Sequence, residues 1–173
     1  MKKLSLSKTV QRLIQILKAK PEVPASLVNQ PLLQVIYHRR SVRSFSNAPI
    51  PEDVFSAILE AGRLAPSTVN LQSWTFAAFD ESQWKATFGR SIPFKGQRAI
   101  IIISDSHRYR QVFPDFPDSP LTEYTIAVVN ASLAAMNMNI AAEALGVASV
   151  MLSETGRTGI LDAKYLITQL GLP

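Results

Sequence analysis

Residues 127–146 read AVVNASLAAMNMNIAAEALG. Together with the residues before them, they form one long helical pattern from Leu121 to Gly146. From Ala127 onward this helix is apolar on nearly every side, so it must be covered on nearly every side. One small domain struggles to supply that cover. The stretch therefore predicts a central helix shared with a second copy of the chain, with Asn130, Asn137 and Asn139 making buried hydrogen bonds there. The alternative is a monomer that encloses the whole helix in its own fold.

The pattern outside this helix alternates short strands with helices. Ala99 to Ser104 (AIIIIS) reads as a strand buried on both faces. Upstream of it lie a short helix from Glu81 to Gly89 and a strand from Ser73 to Phe79. Pro49-Ile50-Pro51 opens an earlier helix: proline suits a first turn, and Glu52 and Asp53 favour the positive end of its dipole. Val54, Ile58, Ala61 and Leu64 form its expected buried stripe, and Pro66 stops it. Leu32 to His38 is a short helix. Before it, residues 21–31 hold three prolines, and residues 6–20 place Leu6, Val10, Leu13, Ile14 and Leu17 at helical spacing. Downstream, Ala148 to Ser153 reads as a third strand, Gly156 as a turn, and Ile160 to Leu170 as a helix closed by Gly171. Strands separated by helices predict a layered α/β or α+β sandwich. The expected organisation is an N-terminal amphipathic helix and linker over 1–30, then one domain over 31–173.

The chain has 173 residues, no cysteine and two histidines, His38 and His107. That composition excludes a disulfide framework, a thiolate metal site, a cysteine nucleophile and a histidine-rich metal cluster. The net charge is +5 but unevenly spread: the first 43 residues carry nine Lys/Arg and one acid, Glu22, whereas Gln111 to Gly156 has no Lys or Arg. A basic end suits nucleic acid, an anionic membrane or a small anion. There is no basic stripe with interleaved aromatics, so nucleic acid is not the expected partner. The basic N-terminus has neither a long apolar run nor a small-residue cleavage site. A cytoplasmic chain is expected. Its first helix is expected to pack on protein, with no stable membrane insertion.

Two stretches carry chemistry. HRRSVRSF, residues 38–45, clusters three arginines around Ser41. In an extended segment Arg39, Ser41 and Arg43 share one side. Two guanidinium forks and a hydroxyl suit a phosphate monoester, with its charge of about −1.5 to −2 and three acceptor oxygens. The same residues also fit a solvated basic turn or a kinase target. PSTVNLQSW, residues 66–74, puts Ser67, Asn70 and Gln72 on a loop at the mouth of a sheet. Short polar groups there can address the polar edge of a flat ring. An N-cap and turn without ligand is the alternative.

Taken together, HRRSVRSF, the following PIPEDVFSAILEAGRLAPSTVNLQSWTF, and NASLAAMNMNIAAEALGVASVMLSETGRTG resemble the nitroreductase-like, FMN-dependent oxidoreductase family over roughly residues 32–173. The resemblance implies an α+β sandwich. Its central mixed, mostly antiparallel sheet is flanked by helices, and a long central helix lies at a homodimer interface with FMN in two clefts. By position, Arg39, Arg40, Ser41 and Arg43 would hold the phosphate, the ribityl chain and one ring edge. Pro66, Ser67, Asn70 and Gln72 would line the flavin. Leu152, Ser153 and Glu154 occupy the segment whose backbone approaches flavin N5. Arg43 is the candidate for stabilising reduced flavin near N1 and O2.

The implied activity is hydride transfer from NAD(P)H through the flavin to an electron-poor acceptor such as a nitroaromatic or quinone, in a ping-pong cycle. The flavin carries the redox chemistry, so no catalytic side chain or metal is required. A flavin-binding protein without general turnover, or a specialised flavin-fragmenting or dehalogenating relative, fits the same residues. Three departures stand out. Ser73 replaces the usual proline before tryptophan, a change expected to matter little. LSETGR replaces a glycine-rich version. The chain ends at Leu172-Pro173, where the family continues with a strand, a basic phosphate contact and an arm around the partner.

Overall fold

The computed structural model describes residues 7–18, 21–105, 107–113, 119–152 and 161–172. The chain divides into two compact units, Met1–Arg39 and Arg40–Pro173. The first unit holds helices α1 (Lys8–Lys18) and α2 (Pro31–His38). On α1 the apolar Val10 and Leu13 are exposed. Pro31 sits at the start of α2, and Arg39 closes it, its N–H donating to the Val35 carbonyl at 2.9 Å.

In the second unit, α3 (Glu52–Arg63) begins after Pro51 with two acids in its first turn and ends with Arg63 in its last, all matched to the helix dipole. Strands β1 (Trp74–Asp80) and β2 (Arg98–Ser104) pair antiparallel, from Trp74 opposite Ser104 to Asp80 opposite Arg98. Helix α4 (Glu81–Phe88) lies between them in sequence. Asp80 starts it with a capping box: its carboxylate accepts the Gln83 N–H at 2.8 Å, and Gln83 Oε1 accepts the Asp80 N–H at 2.9 Å. Gly89, at φ 67°, ends it in a left-handed turn. Helices α5 (His107–Val112), α6 (Pro120–Ala144) and α7 (Leu161–Leu170) follow.

The period-two alternation of β1 and β2 builds a layered core. Phe76, Ile100 and Ile102 pack on the α3–α6 side against Ile58, Met138 and Ala142. Ala77, Phe79, Ala99 and Ile101 point the other way, onto Trp84 and Phe88 of α4 and onto Tyr165, Leu166 and Leu170 of α7. Burying each large apolar side chain contributes roughly 1.5–3 kcal/mol. The close approach of α3 to α6 depends on Gly62, where a Cβ would meet Met138 Cε at 2.1 Å.

Several expectations need correction. On α3 the buried residues are Phe55, Ile58 and Gly62, while Leu64 is 63% exposed because it lies past the last helical residue and turns out. Strand β2 has helices over both faces but is half-buried along its whole length, since among the described residues it pairs only with β1. Residues 147–152 form no strand; Ser149 makes a single parallel bridge to Ser41.

Helix α6 runs 25 residues, as its pattern required. It is long and apolar enough to cross a bilayer. Its buried residues are Asn130, Ala134, Met138, Asn139 and Ala142. Val129, Leu133 and Met136, on another face, are exposed.

Candidate functional site

The loop between α3 and β1 is built against backbone preference. Val69, Asn70 and Gln72 all sit in the left-handed region, at φ 47°, 55° and 48°. Each such non-glycine position costs on the order of 1–3 kcal/mol and persists only where its surroundings over-determine it. Val69 is the least suited, because its Cβ is branched.

What holds the loop is hydrogen bonding. The Asn70 N–H donates to the Ser67 carbonyl at 3.0 Å, and the Leu71 N–H to the Thr68 carbonyl at 3.1 Å. Ser67 Oγ accepts the Gln72 N–H at 2.9 Å. Arg108 Nη1 of α5 donates to the Gln72 carbonyl at 3.2 Å while its Nε pairs with Asp105. The Asp105 N–H reaches the Ser73 carbonyl at 2.9 Å.

Beneath the loop lies a buried polar cluster. Ser73, Tyr109 and Asn130 are each 0% exposed. The Ser73 and Tyr109 hydroxyls are 2.6 Å apart. Asn130 Nδ2 donates to Ser73 Oγ at 3.1 Å and to Tyr109 Oη at 2.5 Å. Its Oδ1 accepts from Thr68 N–H at 3.1 Å and Thr68 Oγ1 at 3.2 Å. A backbone N–H only donates, so the atom facing Thr68 must be the amide oxygen. Asn130 thus uses two donors and two acceptor sites, the full capacity of its amide.

The arginine segment is held from the other direction. The Val42 N–H donates to the Ser149 carbonyl at 3.0 Å, within the Ser41–Ser149 bridge. Val42 is half-buried, while Arg40, Ser41 and Arg43 are exposed, so Ser41 and Arg43 share the outward side of an extended strip. Ser149 Oγ donates to Asn139 Oδ1 at 2.9 Å, and Asn139 Nδ2 donates back along α6 to the Ala135 carbonyl at 3.0 Å.

The expected site residues therefore fall as follows. Arg40, Ser41 and Arg43 form one solvent-facing strip in the second unit; Arg39 belongs to the first. Ser67, Asn70 and Gln72 occupy one strained loop that begins at the exposed Pro66. Asn70 is exposed and Gln72 half-buried. Leu152 is 45% exposed. Ser153 and Glu154 lie outside the described residues.

The asparagines of α6 do make hydrogen bonds away from solvent, but Asn130, Asn137 and Asn139 all make them inside their own chain, Asn137 by donating to the Ala61 carbonyl at 3.2 Å. Ser73 matters more than expected: it is fully buried and its hydroxyl completes the cluster. Tyr109 and Arg108 carried no sequence signal, because they reach the loop only through the fold.

As a donor set, the strip and the loop fit a flavin mononucleotide. Arg43 has no carboxylate partner among the described residues, leaving its guanidinium available to an anion. The loop offers amide and hydroxyl groups on a fixed backbone.

A model of the Nitroreductase family matches residues 36–92, which span the arginine strip, α3 and the strained loop. A candidate NADH dehydrogenase/NAD(P)H nitroreductase of Archaeoglobus fulgidus is 33% identical over 147 residues, covering 82% of this chain and 76% of its own. Nitroreductase A of Vibrio parahaemolyticus superposes with a TM-score of 0.66 at 25% identity, over 83% of this chain and 62% of its own. A nitroreductase-like protein of Desulfovibrio desulfuricans, solved in complex with FMN, gives a TM-score of 0.64 at 24% identity, over 84% of this chain and 78% of its own. The chain thus spans between about three fifths and four fifths of these relatives. The identity to the Archaeoglobus protein, the family match over the loop and strip, and the shared α+β fold place this chain in the nitroreductase family.

Proposed function

We propose that the chain is an FMN-dependent oxidoreductase that takes hydride from NADH or NADPH and delivers it to an electron-poor acceptor such as a nitroaromatic or a quinone. The observation that carries this reading is the pairing of a solvent-facing arginine–serine strip with a strained polar loop, both inside the region of family likeness. The FMN in the Desulfovibrio structure supports the choice of cofactor.

When bound, FMN supplies the redox chemistry by accepting and releasing hydride at N5. The chain's own residues bind and orient. Arg39, Arg40, Ser41 and Arg43 are assigned to the phosphate, the ribityl chain and the adjoining ring edge. Ser67, Asn70 and Gln72, with Pro66 at the loop's start, are assigned to the ring. Leu152, Ser153 and Glu154 are assigned to the N5 side through their backbone. Arg43 is assigned to supply a fixed positive charge to the reduced flavin, and such a preorganised charge would favour reduction. Donor and acceptor are proposed to use one open face in turn, which is a ping-pong cycle. The exposed apolar face of α6, with Val129, Leu133 and Met136, is assigned to a second copy of the chain.

Titrating flavin-free protein with FMN and with riboflavin tests the reading. Charge-assisted hydrogen bonds to a phosphate contribute roughly 1.5–3 kcal/mol each, so FMN should bind at least about tenfold tighter than riboflavin. Arg43→Ala should narrow that gap. Equal binding of both ligands by the wild type, or binding of neither, would overturn it.

A further inference from the structure

Helix α6 touches both candidate ligand segments through buried asparagines. Asn130 grips the strained loop by way of Thr68, and grips the start of β1 by way of Ser73. Asn139 grips Ser149, whose backbone carries Ser41 and Val42 of the arginine strip. The two asparagines are nine residues apart on one helix. At 1.5 Å per residue and 3.6 residues per turn, they stand about 13–14 Å apart along the axis and half a turn round from each other. Each therefore faces a different segment. Neither belongs to the residues assigned to the flavin. Both amides are fixed in orientation by groups that cannot exchange roles, the Thr68 N–H and the Ala135 carbonyl.

We propose that Asn130 and Asn139 are positioning residues that set the spacing between the ring-binding loop and the phosphate-binding strip, with α6 as the rigid spacer. The inference rests on the flavin reading above. Its content is a division of labour. Asn130, with Tyr109 and Ser73, governs the ring end. Asn139, with Ser149, governs the phosphate end. An apolar side chain at either position would fill the core, but it would leave its segment free to shift.

Comparing FMN with riboflavin separates the two ends, because riboflavin lacks the phosphate. The full chain carrying Ser149→Ala or Asn139→Ala should lose about two- to tenfold in FMN affinity, the effect of one neutral hydrogen bond, with riboflavin affinity nearly unchanged. The ratio of the two affinities then falls. Tyr109→Phe or Asn130→Ala should weaken both ligands by a similar factor, leave the ratio in place, and alter the absorbance and circular dichroism of the bound flavin.

A merely structural role would lower melting temperature in all four variants without dividing them by ratio, and that result would overturn the proposal. Tyr109→Phe and Ser149→Ala each remove one hydroxyl from an otherwise unchanged shape. They decide the matter where the asparagine variants fail to fold. A wild type that holds FMN while none of these variants moves the ratio refutes the positioning role alone. A wild type that binds neither ligand refutes the flavin reading, and this inference with it.

Discussion

Thr68 and Asn130 are joined by two hydrogen bonds across 62 residues of chain: the Thr68 N–H and hydroxyl both end on Asn130 Oδ1, at 3.1 and 3.2 Å. The same amide satisfies Ser73 and Tyr109 at its other end. Asn130→Ala would leave the Thr68 N–H and three hydroxyls, those of Thr68, Ser73 and Tyr109, each with one partner fewer, Ser73 and Tyr109 being fully buried. Each stranded group costs about 1–3 kcal/mol, so the variant should be destabilised by roughly 3–4 kcal/mol. Urea unfolding measures this. A loss below about 1 kcal/mol would mean the cluster relaxes or admits water.

Val69 offers the opposite case. Its side chain is 65% exposed, so little packing depends on it, yet its backbone sits at φ 47°. Asparagine tolerates this region far better than a β-branched residue. Val69→Asn should therefore stabilise the chain by about 1 kcal/mol, with the loop hydrogen bonds intact. A melting temperature below that of the wild type would show that Val69 contributes contacts that outweigh its strain.

Much of this architecture is legible in the sequence. The all-round apolar run gave α6 nearly to the residue, and the turn residues Pro51, Pro66 and Gly89 marked where helices start and stop. The arginine strip and the PSTVNLQSW loop stood out by residue type, although each stretch read alone also fits a turn without ligand. Burial on α3 was misread in part, since Phe55 and Gly62 are buried with Ile58 while Leu64 is exposed. The third strand failed because residues 147–152 pair through one bridge only. Tyr109 was invisible, because its role arises from distance in space, 36 residues from Ser73 in sequence.

Acid should weaken the fold partly through Asp80. Its carboxylate is held below the usual range, first by the Gln83 N–H and then by the Ser82 hydroxyl. A depressed folded pKa adds stability above the unfolded value, about 3.9, and that stability is lost as pH falls through the folded value. Asp80→Asn keeps an oxygen for the cap but cannot titrate. Stability at neutral pH should change little, and the decline below about pH 4 should become shallower. Glu81, held down by the Ile92 N–H, and Glu60, held down by Arg63, should preserve the remaining slope. An unchanged acid limb in thermal melts would show that the cap carboxylate is not coupled to folding.

Assembly is tested on the exposed face of α6. Ala134 is a poor probe, being 0% exposed and packed with Ala65 and Trp74. Met136 is 39% exposed. Met136→Glu should convert a dimeric wild type to monomers in light scattering while leaving the melting of the monomer fold near wild type, because surface changes usually stay within about 0.5 kcal/mol. A wild type that is monomeric and flavin-loaded would contradict the assignment of this face.

The central claim is that this chain moves hydride through a bound flavin. Protein loaded with FMN and mixed anaerobically with NADH, and separately with NADPH, tests it most directly. At least one nucleotide should bleach the oxidised flavin absorbance, and adding a quinone should restore it. A chain that holds FMN firmly, yet keeps its oxidised spectrum with both nucleotides, would contradict the account.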